Sequence, residues 1–479
     1  MRVLVTGATG FVGRATVSYL IGQGHEVVAL TTLSKLDDLQ GVKESLGEGV
    51  RVLVFHGNRD DLRAQLEIVD VVVNLAGNTL AGVRWTDKKK RNFKNSRVGF
   101  TQIISEEINN CDTPPSLLIS ASAVGYYGDC GSEILSDIAE KGTGYLADLC
   151  DEWERSALLC SSENTRVCIL RLGVVLGREG GILSRISSSF DLGVGTFIGN
   201  GQQFVPWIHL VDVVRIVGYC IDTENIKGAM NCTAPVPVTS KDIAMQVKRF
   251  TFCKFIVSVP AFIVRLVFGE GVTVLTNSQN ATPDLLINHG FEFSFVQLEQ
   301  ALKQEYGHPN LMVRHPNIAT RRVDGTFQIR SEVALKREIG EVFPFFASPL
   351  NLGLLTPSWL RFRIASMPEE MAVEARIRYS IRLWMVSINW TTRIVEWRQE
   401  LSVPTFTDVQ ERGPYSMWCH QHSFWPQQDG TVIMMDTVTY RMPYGVVGHW
   451  VHTFFLQNIL WRIFSFRAMV IRLRFNSVD

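Results

Sequence analysis

Arg2-Val3-Leu4-Val5-Thr6-Gly7-Ala8-Thr9-Gly10-Phe11-Val12-Gly13 runs from an apolar strand, through three glycines, into a stretch with helical spacing. A strand that feeds a helix through a tight turn leaves the first amide N–H groups of that helix without intrahelical partners, at the positive end of its dipole. Gly7 permits the turn, Gly10 lets a pyrophosphate approach the backbone, and Gly13 lets the helix pack close to the sheet. Glycines also mark ordinary turns, but the strand before these and the helix after them favour the phosphate-binding reading. Gly7, Thr9, Gly10, Phe11, Val12 and Gly13 are therefore the candidate dinucleotide-binding residues.

Outward from this turn the pattern repeats. Residues 3–5, 26–30, 70–74 and 116–120 are nearly all apolar, as strands covered on both faces must be. Between them, residues 13–22 and 97–108 carry apolar side chains at helical spacing. This alternation predicts an α/β domain with a doubly wound parallel Rossmann sheet over residues 1–305, its last part, from about 220 to 305, forming a small substrate lobe. Tyr306-Gly307-His308-Pro309-Asn310 carries turn residues and no periodicity, which sets a linker at 306–320 and a second domain at 321–479. The last 160 residues hold eight of the eleven tryptophans, and 17 arginines against one lysine. Residues 376–383 alternate polar and apolar, 431–440 form a second β-rich run after Asp429-Gly430, and 446–472 read as a long helix.

Composition excludes several classes. With 479 residues, 46% apolar and 20% charged, the chain is neither disordered nor collagen-like and has room for two or three domains. Lys+Arg and Asp+Glu both number 47, so no global field draws it to nucleic acid or to an anionic membrane. The nine cysteines contain no C-x-x-C pair, so they read as reduced thiols rather than a zinc ribbon. No cleavable leader is apparent, and the charge-free run 442–461 contains His449, His452, Gln457 and Asn458, a poor membrane span. A cytoplasmic location is the expectation. Lys88-Lys89-Lys90-Arg91 reads as a solvated helix face, His209 as a hydrogen-bonded structural histidine, and residues 255–268 as a buried helix pair.

Further motifs sharpen the reading. Asn74-Leu75-Ala76-Gly77 follows the fourth strand; then come Gly82-Val83-Arg84-Trp85, Ser96-Arg97-Val98, Ser120 to Gly128, Trp153-Glu154, Arg171-Leu172-Gly173, Trp207-Ile208-His209 and Ser278-Gln279. Together with the glycine turn they resemble the extended short-chain dehydrogenase/reductase superfamily, and within it the atypical epimerase-like subfamily, often labelled sugar-nucleotide epimerase or cell-division-inhibitor-like. The resemblance covers residues 1–305 and implies that Leu75, Ala76 and Gly77 also line the cofactor. At the end of the second strand, Thr31 and Thr32 stand where a carboxylate would hold the ribose of NAD, so NADP is the expected cofactor and NAD the less favoured one. The family pattern usually has Arg where Thr32 stands; Thr31, Thr32, Ser34 and Lys35 are the groups left for a phosphate.

Short-chain reductases pair a Tyr-x-x-x-Lys with a serine, and the resemblance assigns Ser122 and Tyr145 as the catalytic pair. Leu149 occupies the lysine's place, and without that cation Tyr145 keeps a pKa of about 10, a poor acid or base at neutral pH. Arg97 is a further candidate for a phosphate of substrate or cofactor.

The order of elements after residue 325 resembles the SRPBCC or START-like helix-grip fold, an α+β domain. Leu355-Thr356-Pro357-Ser358-Trp359, Gly413-Pro414-Tyr415 with Trp418, and His420-x-His422-x-Phe424 carry that likeness. It implies an apolar small-molecule ligand, against the alternative that the tryptophans fill an ordinary core. His420 and His422 share a strand face and Asp436 is a possible carboxylate neighbour; with no third ligand established, cross-strand hydrogen bonding is the reading and no metal is expected. Two functions follow: an NADP-dependent epimerase/dehydratase-like oxidoreductase moving hydride at a carbonyl or carbinol carbon of an unknown substrate, or a non-catalytic NADP(H) sensor linked to cell division. No nucleic-acid partner is expected, and oligomeric state is left open.

Overall fold

The computed structural model describes residues 1–32, 39–177, 180–191, 193–251, 253–306, 311–314, 326–368, 370–383, 386–400 and 402–476. Contacts divide the chain into two units, one of residues 1–33 with 51–307, the other of residues 34–50 with 308–479.

In the first unit, β1 (Arg2–Thr6), β2 (Glu26–Thr31), β3 (Val50–Val54), β4 (Val71–Asn74), β5 (Leu117–Ala123), β6 (Arg166–Leu172) and β7 (Gly228–Cys232) form one sheet in the order β7-β6-β5-β4-β1-β2-β3. The registered pairs β1·β2, β1·β4, β4·β5, β5·β6 and β6·β7 are all parallel. Val3, Leu4 and Val5 are fully buried, as are Val71 to Val73, because helices cover both faces. Strand order reverses beside β1, and in such sheets the crevice at the carboxyl ends of the strands flanking the reversal receives ligands. Helix α1 (Phe11–Gly22) leaves β1 there. Helices α2 (Asp87–Lys94) and α3 (Phe100–Asn109) are joined by a π-helical turn over Asn95–Gly99, and α4 (Tyr145–Leu158) covers β5 and β6.

Residues 255–268 differ from the expected buried helix pair. Phe255–Val259 is a strand paired in parallel with Val194–Ile198, and Pro260 starts the helix Ala261–Phe268. Proline fixes φ and lacks the N–H that a helix interior needs, so it separates two elements instead of sitting inside one. Phe255, Phe262 and Leu266 are exposed.

The second unit holds an eight-stranded antiparallel sheet. Its strands are β8 (Leu311–Arg314), β9 (Thr326–Leu335), β10 (Arg363–Ser366), β11 (Arg376–Leu383), β12 (Val386–Arg398), β13 (Thr405–Arg412), β14 (Met417–Pro426) and β15 (Val432–Arg441), in the order β8-β9-β15-β14-β13-β12-β11-β10. Register shifts between Thr391/Thr392 and Ile394/Glu396 interrupt the β12·β13 ladder, and such bulges bend a sheet. Helix α5 (Ile339–Ala347) and the terminal helix α6 (Gln457–Phe475) cover one face, α6 burying Leu460, Phe464, Phe466, Val470 and Ile471. A π-helical turn at His452–Leu456 connects α6 to Gly445–Val451. Among the described residues, no helix is long and apolar enough to cross a membrane.

Candidate functional site

The glycine turn closes on itself and on the loop after β4. Gly7 has φ +64°, and a Cβ there would lie 2.6 Å from the Leu75 carbonyl oxygen. A Cβ on Gly13 would lie 2.1 Å from the Gly7 oxygen, so only glycine lets α1 start this close to β1. The Gly10 N–H donates to Gly7 O at 2.9 Å, and Gly10 caps α1 with no side-chain acceptor and no acidic residue in the first turn. Thr9 and Gly10 are exposed, while the Phe11 ring packs where a Cβ on Gly177 or Gly180 would stand. The turn is thus an uncapped, positively polarised cradle that a side chain would fill, and it fits a diphosphate.

Leu75, Ala76 and Gly77 abut this turn, with the Leu75 N–H donating to Thr6 O at 3.3 Å. Behind them runs a buried polar chain. Thr6 Oγ1 donates to Asn74 Oδ1 at 2.7 Å, Asn74 Nδ2 donates to Thr101 Oγ1 at 2.7 Å, and Trp153 Nε1 donates to the same hydroxyl at 2.9 Å. It ties β1, β4, α3 and α4 together under the cleft. Thr31 ends β2 half-buried, its carbonyl accepting the Phe55 N–H at 2.8 Å, and Thr32 is exposed. Ser34 and Lys35 lie outside the described residues.

Ser122 and Tyr145 are given separate partners. Tyr145 opens α4 behind Gly144, its ring edge-on to Trp85 at 5.3 Å and its hydroxyl donating to the Lys90 carbonyl at 3.0 Å. Leu149, one turn on, is buried with Trp85, Phe93 and Trp153, an apolar cluster in which an unpaired ammonium would be costly. Ser122 is held near the end of β5 by an acidic side chain of α4. It is 2% exposed and its hydroxyl donates to Glu154 Oε1 at 2.7 Å. Glu154 in turn meets Arg171 in a bidentate pair, Nε to Oε1 and Nη2 to Oε2 both at 2.9 Å. Arg171 Nη1 also donates to Tyr127 Oη at 2.8 Å and to the Asp137 carbonyl at 3.0 Å, and Tyr127 donates to Asn231 Oδ1 at 2.8 Å. Burial pushes the Tyr127 hydroxyl up to about 12, and does the same to the Cys150 thiol beside Ser122.

Arg97 lies in the π-helical turn, and such turns recur at functional sites. Its guanidinium sits over Trp153 at 5.3 Å and against Gly77, where a Cβ would come within 3.1 Å of Cζ. It is largely buried, and its Nη1 finds no hydrogen-bond partner among the described residues. Burial pushes Arg97 below its usual value, with nearby Cys150 and Tyr145 opposing that shift. Burial raises Tyr145 above its usual value, and Arg97 opposes this in turn.

His209 is fully buried, with Nε2 3.0 Å from Glu305 Oε1 and Nδ1 accepting the Val211 N–H. The Glu154–Arg171 pair is what sequence reading passed over. The available signal was an arginine inside the otherwise apolar β6 run, since a charge there must be paired.

The second unit contains a cavity of about 340 Å³ between sheet and α6, lined by Tyr379, Ile381, Trp390, Tyr415, Trp418 and Phe464 among others. Trp390 is 6% exposed and its Nε1 has no hydrogen-bond partner among the described residues. Trp390 and Trp418 therefore line a hollow, while Trp397 packs against Phe343 and Phe406.

Comparison with known proteins bears on the first unit. Residues 3–232 match the NAD dependent epimerase/dehydratase family, and residues 259–305 match a domain of unknown function, DUF1731. The chain is 34% identical over 306 residues to the chloroplastic epimerase family protein SDR39U1 homolog of Arabidopsis thaliana, covering 63% of this chain and 86% of that one. It is 31% identical to the epimerase family protein SDR39U1 of Homo sapiens over 309 residues, 64% of this chain and 99% of that one. The crystal structure of human SDR39U1 with NADPH superposes with a TM-score of 0.57 at 30% identity, covering 64% of this chain and 99% of that one. A nucleoside-diphosphate sugar epimerase from Corynebacterium glutamicum superposes at 0.50 and 29% identity, covering 64% of this chain and 58% of that one. Identity at this level, sustained over most of the Arabidopsis and human relatives, reaches far past a shared turn: the chain belongs to the NAD dependent epimerase/dehydratase family.

Proposed function

We propose that the first unit is an NADP(H)-dependent oxidoreductase acting on a carbonyl or carbinol carbon of a small molecule. The uncapped head of α1 carries this reading: the amides around Gly10 hold the pyrophosphate, and Leu75, Ala76 and Gly77 flank it. Thr31 and Thr32 offer hydroxyls and no carboxylate at the end of β2, which suits a phosphorylated ribose, and the human relative crystallised with NADPH agrees. The nicotinamide supplies or accepts the hydride. Tyr145 exchanges the proton, Arg97 supplies the positive charge absent at Leu149, and Ser122 positions the Glu154–Arg171 pair beneath the site.

The test is NADPH consumption across aldehydes, ketones and nucleoside-diphosphate sugars. Tyr145→Phe and Arg97→Met are each expected to lower turnover by about 100-fold, the scale of general acid catalysis, with Arg97→Lys retaining more than Arg97→Met. Because burial raises Tyr145, its phenol stays protonated through the neutral range. Carbonyl reduction, which consumes that proton, is expected to stay level with pH and fall only above about 10. The reverse oxidation, which needs the phenolate, rises over the same range. A pH–rate profile run in both directions checks the sign.

A second reading keeps the cofactor and drops the turnover, leaving an NADP(H)-responsive regulatory protein, in cell division by the subfamily's label. Leu149 in the lysine's place and the Tyr145 hydroxyl bound to Lys90 O favour it. NADPH binding without consumption of any carbonyl in the panel would select it. For the second unit we propose a START-like helix-grip module holding an apolar ligand. Its support is the cavity under α6 and the unsatisfied indole of Trp390, which calls for a ligand bearing one hydrogen-bond acceptor.

A further inference from the structure

The paired histidines of β14 acquire a third neighbour across the sheet. Register sets Asp408 of β13 opposite His420, and His422 opposite Asp436 of β15. Residues opposite each other, or two apart on one strand, share a face, so all four stand on the side where α6 contributes Arg467. Asp436 is buried, and its Oδ2 accepts from Arg467 Nε at 2.9 Å. Its Oδ1 lies 2.6 Å from His422 Nδ1 and 3.2 Å from His420 Nε2. Both imidazoles thus spend one nitrogen on the same carboxylate.

The other two nitrogens turn to Asp408. His420 Nδ1 lies 3.9 Å and His422 Nε2 3.8 Å from Asp408 Oδ1, beyond hydrogen-bond distance. A neutral imidazole that donates through one nitrogen presents a lone pair on the other. Asp408, His420 and His422 each offer one ligand atom, and the three atoms lie within 4.8 Å of one another. At bonds of about 2.1 Å a tetrahedral ion sets its donors about 3.4 Å apart, so Asp408, at 3.9 and 3.8 Å from the two nitrogens, closes on them by about half an ångström when an ion binds. Carboxylates that grip the far nitrogens, as Asp436 does here, are the usual support behind histidine ligands.

We propose that Asp408, His420 and His422 form a site for a divalent transition-metal ion of the zinc or iron(II) class, with Asp436 and Arg467 fixing the two imidazoles from behind. Asp408, His420, His422 and Arg467 all line the cavity, so the ion's open coordination positions face into it. The site stands apart from the cofactor reading of the first unit, and it is tested with the ion alone.

The experiment strips the full chain with chelator, dialyses it against Zn²⁺ or Co²⁺, and counts bound metal per chain. Nine thiols offer other places for metal, so the measured quantity is the difference between the wild type and two variants, Asp408→Asn and the double variant His420→Gln/His422→Gln. The wild type is expected to hold one equivalent more than either. Its cobalt form should show visible ligand-field bands that the variants lack, without matching thiolate charge-transfer bands. Asp408→Asn keeps the side chain's shape, and an unchanged thermal midpoint of its metal-free form shows that the fold survives. Equal metal content and equal cobalt spectra in the wild type and a folded Asp408→Asn would overturn the proposal.

Discussion

Arg171→Met is expected to lower the stability of the first unit by about 3–5 kcal/mol, the cost of leaving one member of a buried ion pair alone. Glu154 would remain in a site where its side chain is 8% exposed, with only the Ser122 hydroxyl to answer its charge. Tyr127 and the Asp137 carbonyl would lose a donor as well. Glu154→Leu combined with Arg171→Met removes both charges, and the double variant should be destabilised by less than the sum of the single changes. Urea denaturation of the four proteins measures the coupling. Simple additivity would show that the pair and its links to β5, β6 and α4 are not a unit.

Gly10→Asp is expected to weaken NADPH binding at least about a hundredfold, or ~2.7 kcal/mol. A carboxylate would occupy the place of the pyrophosphate and repel it, and the charge-assisted bonds from the first-turn amides, each worth about 1.5–3 kcal/mol, would be lost. Gly10 suits this test better than its neighbours. A Cβ there would stand 3.2 Å from the Gly7 oxygen, a contact that small shifts relieve, whereas one on Gly13 would stand at 2.1 Å and one on Gly7 at 2.6 Å from backbone. Gly10→Asp should therefore fold with an ordinary thermal midpoint and fail to bind. Retained affinity would mean that the phosphate lies elsewhere.

How far the sequence reveals these features depends on how local their causes are. The strand, turn and helix at the N-terminus are readable because Gly7, Gly10 and Gly13 answer a backbone demand within eight residues, and the alternation at Arg376–Leu383 is readable because period two is a property of the strand itself. The Glu154–Arg171 pair joins α4 to β6, and neither segment names its partner. Arg97 faces Gly77 because a π turn rotates it there, a rotation that no 3.6-residue pattern shows. The resemblance assigns Ser122 a role but does not show that its hydroxyl is held by Glu154, 32 residues on. Asp408 was invisible beside His420 until the register of β13 against β14 set them opposite. Residues 255–268 look buried by hydropathy alone, yet Pro260 divides them into a strand and a helix.

The most direct test of the account is titration calorimetry of the purified full chain with NADPH and, separately, with NADH. The account predicts heat saturating at one NADPH per chain and weaker binding of NADH, since no carboxylate waits at Thr31 and Thr32 for an unmodified ribose. No heat with either nucleotide would contradict the phosphate-binding role of the Gly7–Gly13 turn, and the hydride chemistry built on it would go with it.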